Sequence, residues 1–280
     1  MKKVMVFGAT GMLGHVVVRY LKEAGDYSIF SCTRNGGEGC IAVDVTDFRR
    51  VHSVLEECRP EFVINAVGML VKASMENPGQ AVLVNSYFPH YLVEAGAKLG
   101  FKLIHVSTDC VFSGKDGGYR EDSFPDGDSM YDRTKALGEI VDSKNLTIRT
   151  SIIGPELNQN GTGLFLWFMN QRGKVRGYTN ALWSGVTTLE LAKAIEAAMR
   201  QGVTGLYQLT MPPISKYDLL LLLKKIWGKT DVEVIPYPDF YCDKSMICTR
   251  NDFQYVLPES HEVMLRELYA WYYCSGNQPD

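Results

Sequence analysis

The chain has 280 residues, 46% of them hydrophobic and 22% charged, which is typical of a globular protein with a sizeable core. The formal net charge is −3 and no basic block occurs, so we expect neither a nucleic-acid nor a membrane partner. No apolar run approaches the roughly 18 residues of a membrane span, and the first residues lack the apolar core of a signal peptide. These properties indicate a cytoplasmic protein.

Seven cysteines are scattered along the chain without paired spacing. An odd number in such a pattern is typical of reduced thiols and does not suggest a disulfide framework or a metal site. We therefore expect no bound metal.

The first residues predict a strand, a glycine turn and a helix. Residues 4–7 form a short apolar run, Gly8, Gly11 and Gly14 follow at intervals of three, and an apolar-rich helix is predicted over residues 15–24. In a dinucleotide-binding βαβ unit such glycines allow the tight turn, the approach of the pyrophosphate and close packing. The alternative is a glycine turn without a ligand. The predicted cofactor contacts in this segment are Gly8, Thr10, Gly11, Met12, Leu13 and Gly14.

The end of the second predicted strand, residues 27–32, bears on the choice of dinucleotide. An acidic residue there would accept hydrogen bonds from ribose hydroxyls, whereas an arginine tolerates a 2′-phosphate. Thr33 and Arg34 occupy this position. They favour NADP(H) and leave NAD(H) open, because Arg34 could also be a solvated loop charge.

Two further strands follow in the same pattern. Residues 40–43 lead to Asp44 and Val45, predicted near the adenine, and Asp47 is a predicted N-cap for a helix over residues 51–58. Residues 62–68 form the next predicted strand and turn, and a helix is predicted over residues 80–99. Its Asn85 could be a buried structural amide or a functional residue. The further predicted cofactor contacts are Asn65, Ala66, Val67, Gly68 and Asn85.

The fifth strand, residues 102–106, runs directly into Ser107, Thr108 and Asp109. Ligands of parallel sheets bind outside the carboxyl ends of strands, so these polar residues face the predicted cofactor site. A helix predicted from Tyr131 through residue 140 carries Lys135 one turn later, on the same face. An ammonium beside a phenol lowers its pKa and makes it a usable acid or base.

These motifs resemble those of the extended short-chain dehydrogenase/reductases, and of the dTDP-4-dehydrorhamnose reductase family in particular. The resemblance rests on GATGMLG (8–14 with the preceding strand), STDCVFSG (107–114) and YDRTKALGE (131–139), and it extends over nearly the whole chain. It implies that Thr108, Tyr131 and Lys135 are catalytic, with Tyr131 and Lys135 also at the cofactor. It further implies an α/β fold, a Rossmann-type doubly wound parallel sheet with a smaller C-terminal α/β substrate-binding portion.

The division into parts is predicted near residue 154. Residues 1–154 form the NAD(P)-binding domain, and residues 155–280 mainly the substrate side, with part of them packing back onto the sheet. Helices are predicted over 163–169, 188–200 and 215–227, and a strand over 205–209. Arg250 could reach a phosphate, but a structural salt bridge is the favoured interpretation.

The substrate side departs from the family pattern. Cys110 stands where the family has an aromatic residue, Asp132 follows the tyrosine where a small residue is common, and residues 152 and 153 are isoleucines. A basic and aromatic segment, residues 174–183, suits a nucleotide diphosphate and its base, or equally a surface hairpin. The predicted substrate contacts are Ser107, Asp109, Cys110, Val111, Arg176 and Trp183.

The expected function is an NAD(P)H-dependent reduction of a keto group on a nucleotide-linked sugar, in deoxysugar or cell-surface polysaccharide biosynthesis. A nucleotide-sugar epimerase and a non-catalytic NADP-binding regulatory subunit are the alternatives. Cys110 stands where dehydratases of this fold carry a glutamate, so elimination is disfavoured. The nucleotide sugar is the expected partner, and a homodimer is left open.

Overall fold

Twelve strands and ten α-helices make up the protein, whose computed structural model describes residues 1–274. The strands are β1 (Lys2–Phe7), β2 (Tyr27–Thr33), β3 (Cys40–Ala42), β4 (Phe62–Asn65), β5 (Lys102–Val106), β6 (Leu146–Arg149), β7 (Ile152–Ile153), β8 (Gly173–Trp183), β9 (Val186–Thr187), β10 (Gly205–Gln208), β11 (Ile214–Ser215) and β12 (Val232–Asp243). The helices are α1 (Gly14–Ala24), α2 (Phe48–Cys58), α3 (Val71–Glu76), α4 (Pro78–Ala81), α5 (Phe88–Leu99), α6 (Met130–Leu137), α7 (Leu164–Met169), α8 (Thr188–Gln201), α9 (Lys216–Ile226) and α10 (His261–Tyr269).

The large sheet has seven strands in the order β10-β6-β5-β4-β1-β2-β3, and every neighbouring pair is parallel. The chain lays down β2 and β3 on one side of β1 and then returns to place β4 on the other side. This reversal opens a crevice at the carboxyl ends of β1 and β4, where ligands of doubly wound sheets bind. The predicted α/β fold class is confirmed.

Alternate residues of β1 explain why the sheet is covered on both faces. Val4 and Val6 belong to one buried cluster, and Met5 and Phe7 belong to the other. Successive side chains of a strand point to opposite faces, so a fully apolar strand needs helices on both sides. The first cluster includes α1 and α8, and the second includes α2 and α5.

The strands that follow β6 belong to two small sheets and to the large sheet. β8 is the middle strand of a small sheet, antiparallel to β11 and parallel to β12, while β7 pairs with β9. β10, in contrast, pairs with β6 at the edge of the large sheet. The domain boundary near residue 154 remains a prediction, and residues 275–280 lie outside the described part of the chain.

Three predicted elements differ from the observed ones. The helix over residues 80–99 is α4, a π-helical segment over Val82–Tyr87, and α5. Helix α6 ends at Leu137. Gly138 follows in close contact with the Asn85 carbonyl oxygen, 2.0 Å from where a Cβ would stand, and Glu139 turns inward to bind Arg149. Residues 174–183 are part of a central strand and do not form a surface hairpin.

Candidate active site

The glycine turn between β1 and α1 is built so that only glycine fits at its key positions. Gly8 has φ +82°, in the left-handed region that favours glycine, and a Cβ there would lie 3.0 Å from the Ala66 carbonyl oxygen. A Cβ on Gly14 would lie 2.0 Å from the Gly8 carbonyl oxygen. The first helical residue is therefore pressed against the end of the strand, as a dinucleotide cradle requires.

The turn also presents unpaired backbone donors. Gly11 donates its N–H to the Gly8 carbonyl at 2.9 Å, whereas the N–H groups of Met12 and Leu13 have no hydrogen-bond partner among the described residues. Such donors at a helix N-terminus bind phosphate oxygens. Thr10 is exposed beside them, while the Leu13 side chain is buried in the core, so only its backbone is available. The turn fits the pyrophosphate of a dinucleotide.

The ends of β2 and β3 lie together. The Thr33 hydroxyl donates to the Gly36 carbonyl at 2.7 Å, and the Arg34 guanidinium lies 3.9 Å from an Asp44 carboxylate oxygen. Hydrogen bonds from the Thr46 amide and hydroxyl lower the pKa of Asp44. Arg34 is exposed, with its stem on the protein and its charge available to a ligand.

The amides of Asn65 and Asn85 have internal partners. Asn65 accepts from the Val67 N–H at 3.1 Å, and its amide nitrogen lies 3.2 Å from His105 Nδ1. Asn85 binds both backbone groups of Met69 and donates to the Thr134 hydroxyl at 3.1 Å. These bonds shape the wall after β4, which includes Ala66 and Gly68, and Asn85 anchors that wall to α6.

Thr108 and Tyr131 meet at the carboxyl end of β5. The Thr108 hydroxyl oxygen accepts from the Cys110 N–H at 3.1 Å and donates to Asp109 at 3.2 Å, which fixes its orientation. Burial raises the pKa of Tyr131 above its ordinary value, the nearby Cys110 and Asp109 raise it further, and a hydrogen bond with Thr108 opposes them. The expected lowering by Lys135 is not observed, because desolvation dominates and Tyr131 keeps its proton.

Lys135 lies beneath the same strand end. Its ammonium donates to the Val106 carbonyl at 2.8 Å, and the side chain is only 3% exposed. Burial lowers the pKa of Lys135 from 10.5 to about 8, against the opposing effect of Glu139. Helix α6 begins with a capping box formed by Ser129 and Asp132, which fixes the register that brings the tyrosine and the lysine to this edge.

The predicted substrate residues divide into interior and accessible ones. The structure corrects the prediction for Val111 and Trp183, whose side chains are buried in the core. The Ser107 hydroxyl is also engaged, donating to Glu139 at 2.7 Å. Asp109 is buried as well, beside Thr108. The remaining predicted substrate residues are Cys110, half-buried beside Thr108, and Arg176, which lies exposed with its guanidinium 4.6 Å from the Tyr237 ring.

Burial also governs the acidity of the residues that follow Thr108. It raises the pKa of Asp109, against the opposing charges of Lys244 and Lys216. It raises the pKa of the Cys110 thiol to about 12, so the thiol is protonated at neutral pH. A protonated thiol cannot accept a proton as the base of an elimination, the role that a carboxylate would fill.

Lys244 is a site residue that sequence reasoning missed. It follows β12, more than 100 residues after the site motifs, in a segment that packs on the loop after β5. The Asp243 N–H donates to the Gly114 carbonyl at 2.7 Å, and Tyr119 exchanges two backbone hydrogen bonds with Ser245 and Ile247. Partial burial lowers the pKa of Lys244, but the acidic groups around it, first Cys110 and Asp109, raise it overall. No local motif marks this lysine, since only the tertiary contact brings it to the site.

Residues 1–236 match the family described as RmlD substrate binding domain. The chain belongs to this family. It is 29% identical to the spore coat polysaccharide biosynthesis protein SpsK of Bacillus subtilis, over 70% of this chain and 69% of that protein. It is 26% identical to a dTDP-4-keto-6-deoxy-D-glucose reductase of Streptomyces niveus, over 84% of this chain and 82% of that protein.

The chain is also similar to part of a methionine adenosyltransferase subunit and to a solved structure. Methionine adenosyltransferase 2 subunit beta of Bos taurus is 27% identical over 49% of this chain, which spans only 42% of that protein. The crystal structure of dTDP-4-dehydrorhamnose reductase from Bacillus anthracis in complex with NADP superposes with a TM-score of 0.82, covering 97% of this chain and 99% of that one. At 21% identity this likeness shows the fold alone.

Two further properties concern residues 1–274. No group of three or more His, Cys, Asp or Glu residues there is arranged to hold a metal ion. None of the helices in this part of the chain combines the length and the apolar character needed to cross a membrane.

Proposed function

We propose that this protein is an NADP(H)-dependent reductase of a keto group on a nucleotide-linked sugar, acting in deoxysugar or cell-surface polysaccharide biosynthesis. The observation that carries the proposal is the meeting of Thr108, Tyr131 and Lys135 at the carboxyl end of β5, beside a glycine turn with unpaired N–H groups. The reductase and polysaccharide-biosynthesis relatives support the same reaction class.

The roles of the chain's own residues follow from their protonation and contacts. A bound NADPH supplies the hydride. Tyr131, protonated at neutral pH, donates its proton to the substrate oxygen, and Thr108 holds that oxygen beside it. Lys135 places a positive charge under the phenolate that forms, and it holds the cofactor ribose. Tyr131 can donate its proton only if it is protonated before the reaction, and its raised pKa keeps it protonated.

The preference for NADP(H) rests on Arg34. Its exposed guanidinium stands at the end of β2, where the adenosine ribose of a dinucleotide lies, and the adjacent Asp44 limits its motion. A 2′-phosphate would pair with this charge. The cofactor contacts predicted from the sequence, from the glycine turn to Asn85, remain part of this proposal.

The nucleotide sugar would lie between the end of β5 and the later part of the chain. Cys110 and Asp109 line the sugar side, and Lys244 and Lys216 supply positive charge near them. Two lysines from two separate elements suit an anionic, phosphate-bearing substrate. Arg176 is more distant in the chain and offers a further cation on β8.

The direct test is a panel of nucleotide-linked 4-keto sugars, with NADPH oxidation followed by absorbance. We expect one NADPH consumed per sugar converted, and a protein that purifies largely free of dinucleotide. Tightly held NAD⁺ with isomerised sugar and no net oxidation would replace the reductase proposal by the epimerase.

The regulatory subunit is the second candidate, because the methionine adenosyltransferase subunit is among the relatives. It predicts stoichiometric co-purification with another enzyme and no turnover of any ketone. The retained Thr108, Tyr131 and Lys135 favour the reductase, since a scaffold does not need a buried lysine beside a protonated tyrosine.

We also propose a homodimer in a reducing compartment, the cytoplasm. Helix α3 and the π-helical segment both contact α6, and Leu70, Val71, Met75, Leu83 and Leu137 on or beside these elements are exposed. We infer that these side chains form one apolar face, of a kind that is rarely left open on a monomer. All six cysteines described in residues 1–273 are unpaired, which suits that compartment. Light scattering on the protein and its Leu137→Asp variant tests the dimer.

A further inference from the structure

A buried ion pair lies directly behind the catalytic elements. Arg149 on β6 is 2% exposed and donates through Nε and Nη2 to the two carboxylate oxygens of Glu139, at 2.9 and 2.6 Å. The Ser107 hydroxyl donates to the same carboxylate at 2.7 Å. Three donors therefore hold one buried carboxylate, which follows α6 and touches the residue that precedes Thr108.

Arg149 is itself fixed on every side. Its guanidinium lies 4.8 Å from the ring of Phe112, and Nη1 lies 3.4 Å from the Gln208 side-chain oxygen on β10. Burying a guanidinium carries a large desolvation cost. A buried ion pair therefore often stabilises a fold no more than apolar residues of similar volume would. The pair therefore invites a functional explanation.

Lys135 provides that explanation. It is buried on α6, four residues before Glu139 in the sequence, and its one hydrogen-bond acceptor among the described residues is the neutral Val106 carbonyl. The titratable groups coupled to it are Glu139, which follows α6, and His105 on β5. His105 is fully buried and neutral, because desolvation and the Lys135 charge lower its pKa. The Glu139 carboxylate binds the Ser107 hydroxyl, directly after the Val106 carbonyl that holds the ammonium, so Glu139 is the anion that acts on Lys135.

We infer that the Glu139–Arg149 pair controls the charge of Lys135: Glu139 keeps the ammonium protonated, and Arg149 limits how strongly it does so. Both are positioning residues that act through Lys135, so the inference rests on the proposed function where catalysis is concerned. Among residues 1–274, Glu139 is the charged group that raises the pKa of Lys135, and its removal takes away that support. Without Arg149 the full carboxylate charge acts on the ammonium.

The two substitutions should therefore act in opposite directions. Glu139→Gln keeps the shape and removes the anion, so Lys135 should lose its proton at a pH lower by about one unit. Arg149→Met removes the cation and should shift the loss to higher pH. Arg149→Lys, which keeps the charge, should restore the parent behaviour. A merely structural role would reduce stability in both variants without opposite shifts.

The first measurement is an NMR titration of the full-length protein labelled at the lysine ¹³Cε, with the Lys135 signal assigned through Lys135→Met. It requires no substrate. The second is the basic limb of the pH dependence of kcat in NADPH oxidation. We expect the titration midpoint and the limb to move together, down in Glu139→Gln and up in Arg149→Met.

The outcomes separate the two proposals. Opposite NMR shifts in a protein that reduces no ketone would support the electrostatic control and refute the reductase. Normal turnover with an unmoved Lys135 titration in Glu139→Gln would overturn the control and leave the reductase standing. If Arg149→Met does not fold, the Glu139→Gln titration decides alone.

Discussion

Burial acts on the tyrosine and the lysine of α6 in the same chemical sense, because it favours the neutral form of each. It raises the pKa of Tyr131 and lowers the pKa of Lys135. The effects on a reduction differ. A neutral tyrosine still carries the proton that it must donate, whereas a neutral lysine no longer supplies a positive charge. The pH range in which the reduction proceeds should therefore end where Lys135 deprotonates.

The pH dependence follows from that sign. Lys135 is charged below its folded-state pKa of about 8 and neutral above it. We expect kcat for ketone reduction to be level near pH 7 and to fall as the pH rises through about 8. Initial rates at saturating NADPH over pH 6–10 test this. A profile that stays level to pH 10 would mean that the charge of Lys135 is not required.

Removing the Tyr131 hydroxyl isolates its role as proton donor. In Tyr131→Phe the ring remains, so NADPH affinity should persist while kcat falls by roughly 10²–10⁴. Steady-state rates and NADPH fluorescence titration measure the two quantities. Tyr20→Phe, on α1 at a distance from the site, is the matched control. Near-parental turnover of Tyr131→Phe would remove this residue from the mechanism.

Arg34 should decide between the two dinucleotides. Arg34→Ala removes a charge-assisted contact to the 2′-phosphate, so the preference for NADPH over NADH should shrink by about tenfold, or about 1.4 kcal/mol. Dissociation constants for both cofactors test it, and Arg133→Ala, an exposed arginine on α6, serves as the control. Equal affinities in the parent protein would contradict the assignment.

At the scale of elements, the join of β1 and α1 is the least tolerant point of the fold. Gly14→Ala would place a methyl group 2.0 Å from the Gly8 carbonyl oxygen, on backbone that cannot move aside. We expect a loss of about 3 kcal/mol in the free energy of unfolding, with NADPH binding weakened. Urea unfolding measures the first effect.

Gly79→Ala is the control for that change. Gly79 lies in α4, and a Cβ there would have no neighbour within 4 Å. The substitution should be neutral or stabilising by about 0.5–1 kcal/mol. Similar destabilisation in both variants would show that steric contact at the glycine turn is not the cause.

Elements that depend on local patterns were predictable from the sequence. β5 is confirmed at residues 102–106, and α2 has the predicted Asp47 cap, whose side chain accepts from the Arg50 N–H. The break at residues 82–87 and the early end of α6 were not predictable, and the latter lies at a close tertiary contact between Gly138 and the Asn85 carbonyl. Arg250 pairs with Asp252 as expected.

The same distinction applies to the site. The glycine turn and the Tyr131–Lys135 pair each lie within one short stretch of the sequence. Their local geometry therefore follows from the rules for strands and helices. The basic and aromatic residues that precede Trp183 in the sequence favoured a ligand site, but Trp183 lies in the core beside the ring of His261. Lys244 reaches the site only because β12 crosses the loop after β5, a contact that no spacing encodes.

At the scale of the whole molecule, Gln208 joins three distant segments. Fully buried on β10, it donates to the Tyr119 carbonyl at 2.9 Å and to the Ile247 carbonyl at 3.0 Å. Gln208→Ala removes the side-chain donor to the Ile247 carbonyl and one of the two donors to the Tyr119 carbonyl, which keeps the Ile247 N–H. The change should cost about 2–3 kcal/mol in the free energy of unfolding. Gln201→Ala, at an exposed position, should cost about 0.5 kcal/mol. Equal urea midpoints would contradict this role.

The hydrogen bonds between the loop after β5 and the segment after β12 have a consequence for synthesis on the ribosome. Residues 243–247 emerge more than 120 residues after the catalytic strand, yet they hold the loop that carries Gly114 and Tyr119. The substrate side of the site is therefore incomplete until these residues have left the ribosome and docked on the loop. A nascent chain that has not yet reached residue 247 lacks the hydrogen bonds that hold Gly114 and Tyr119 in place.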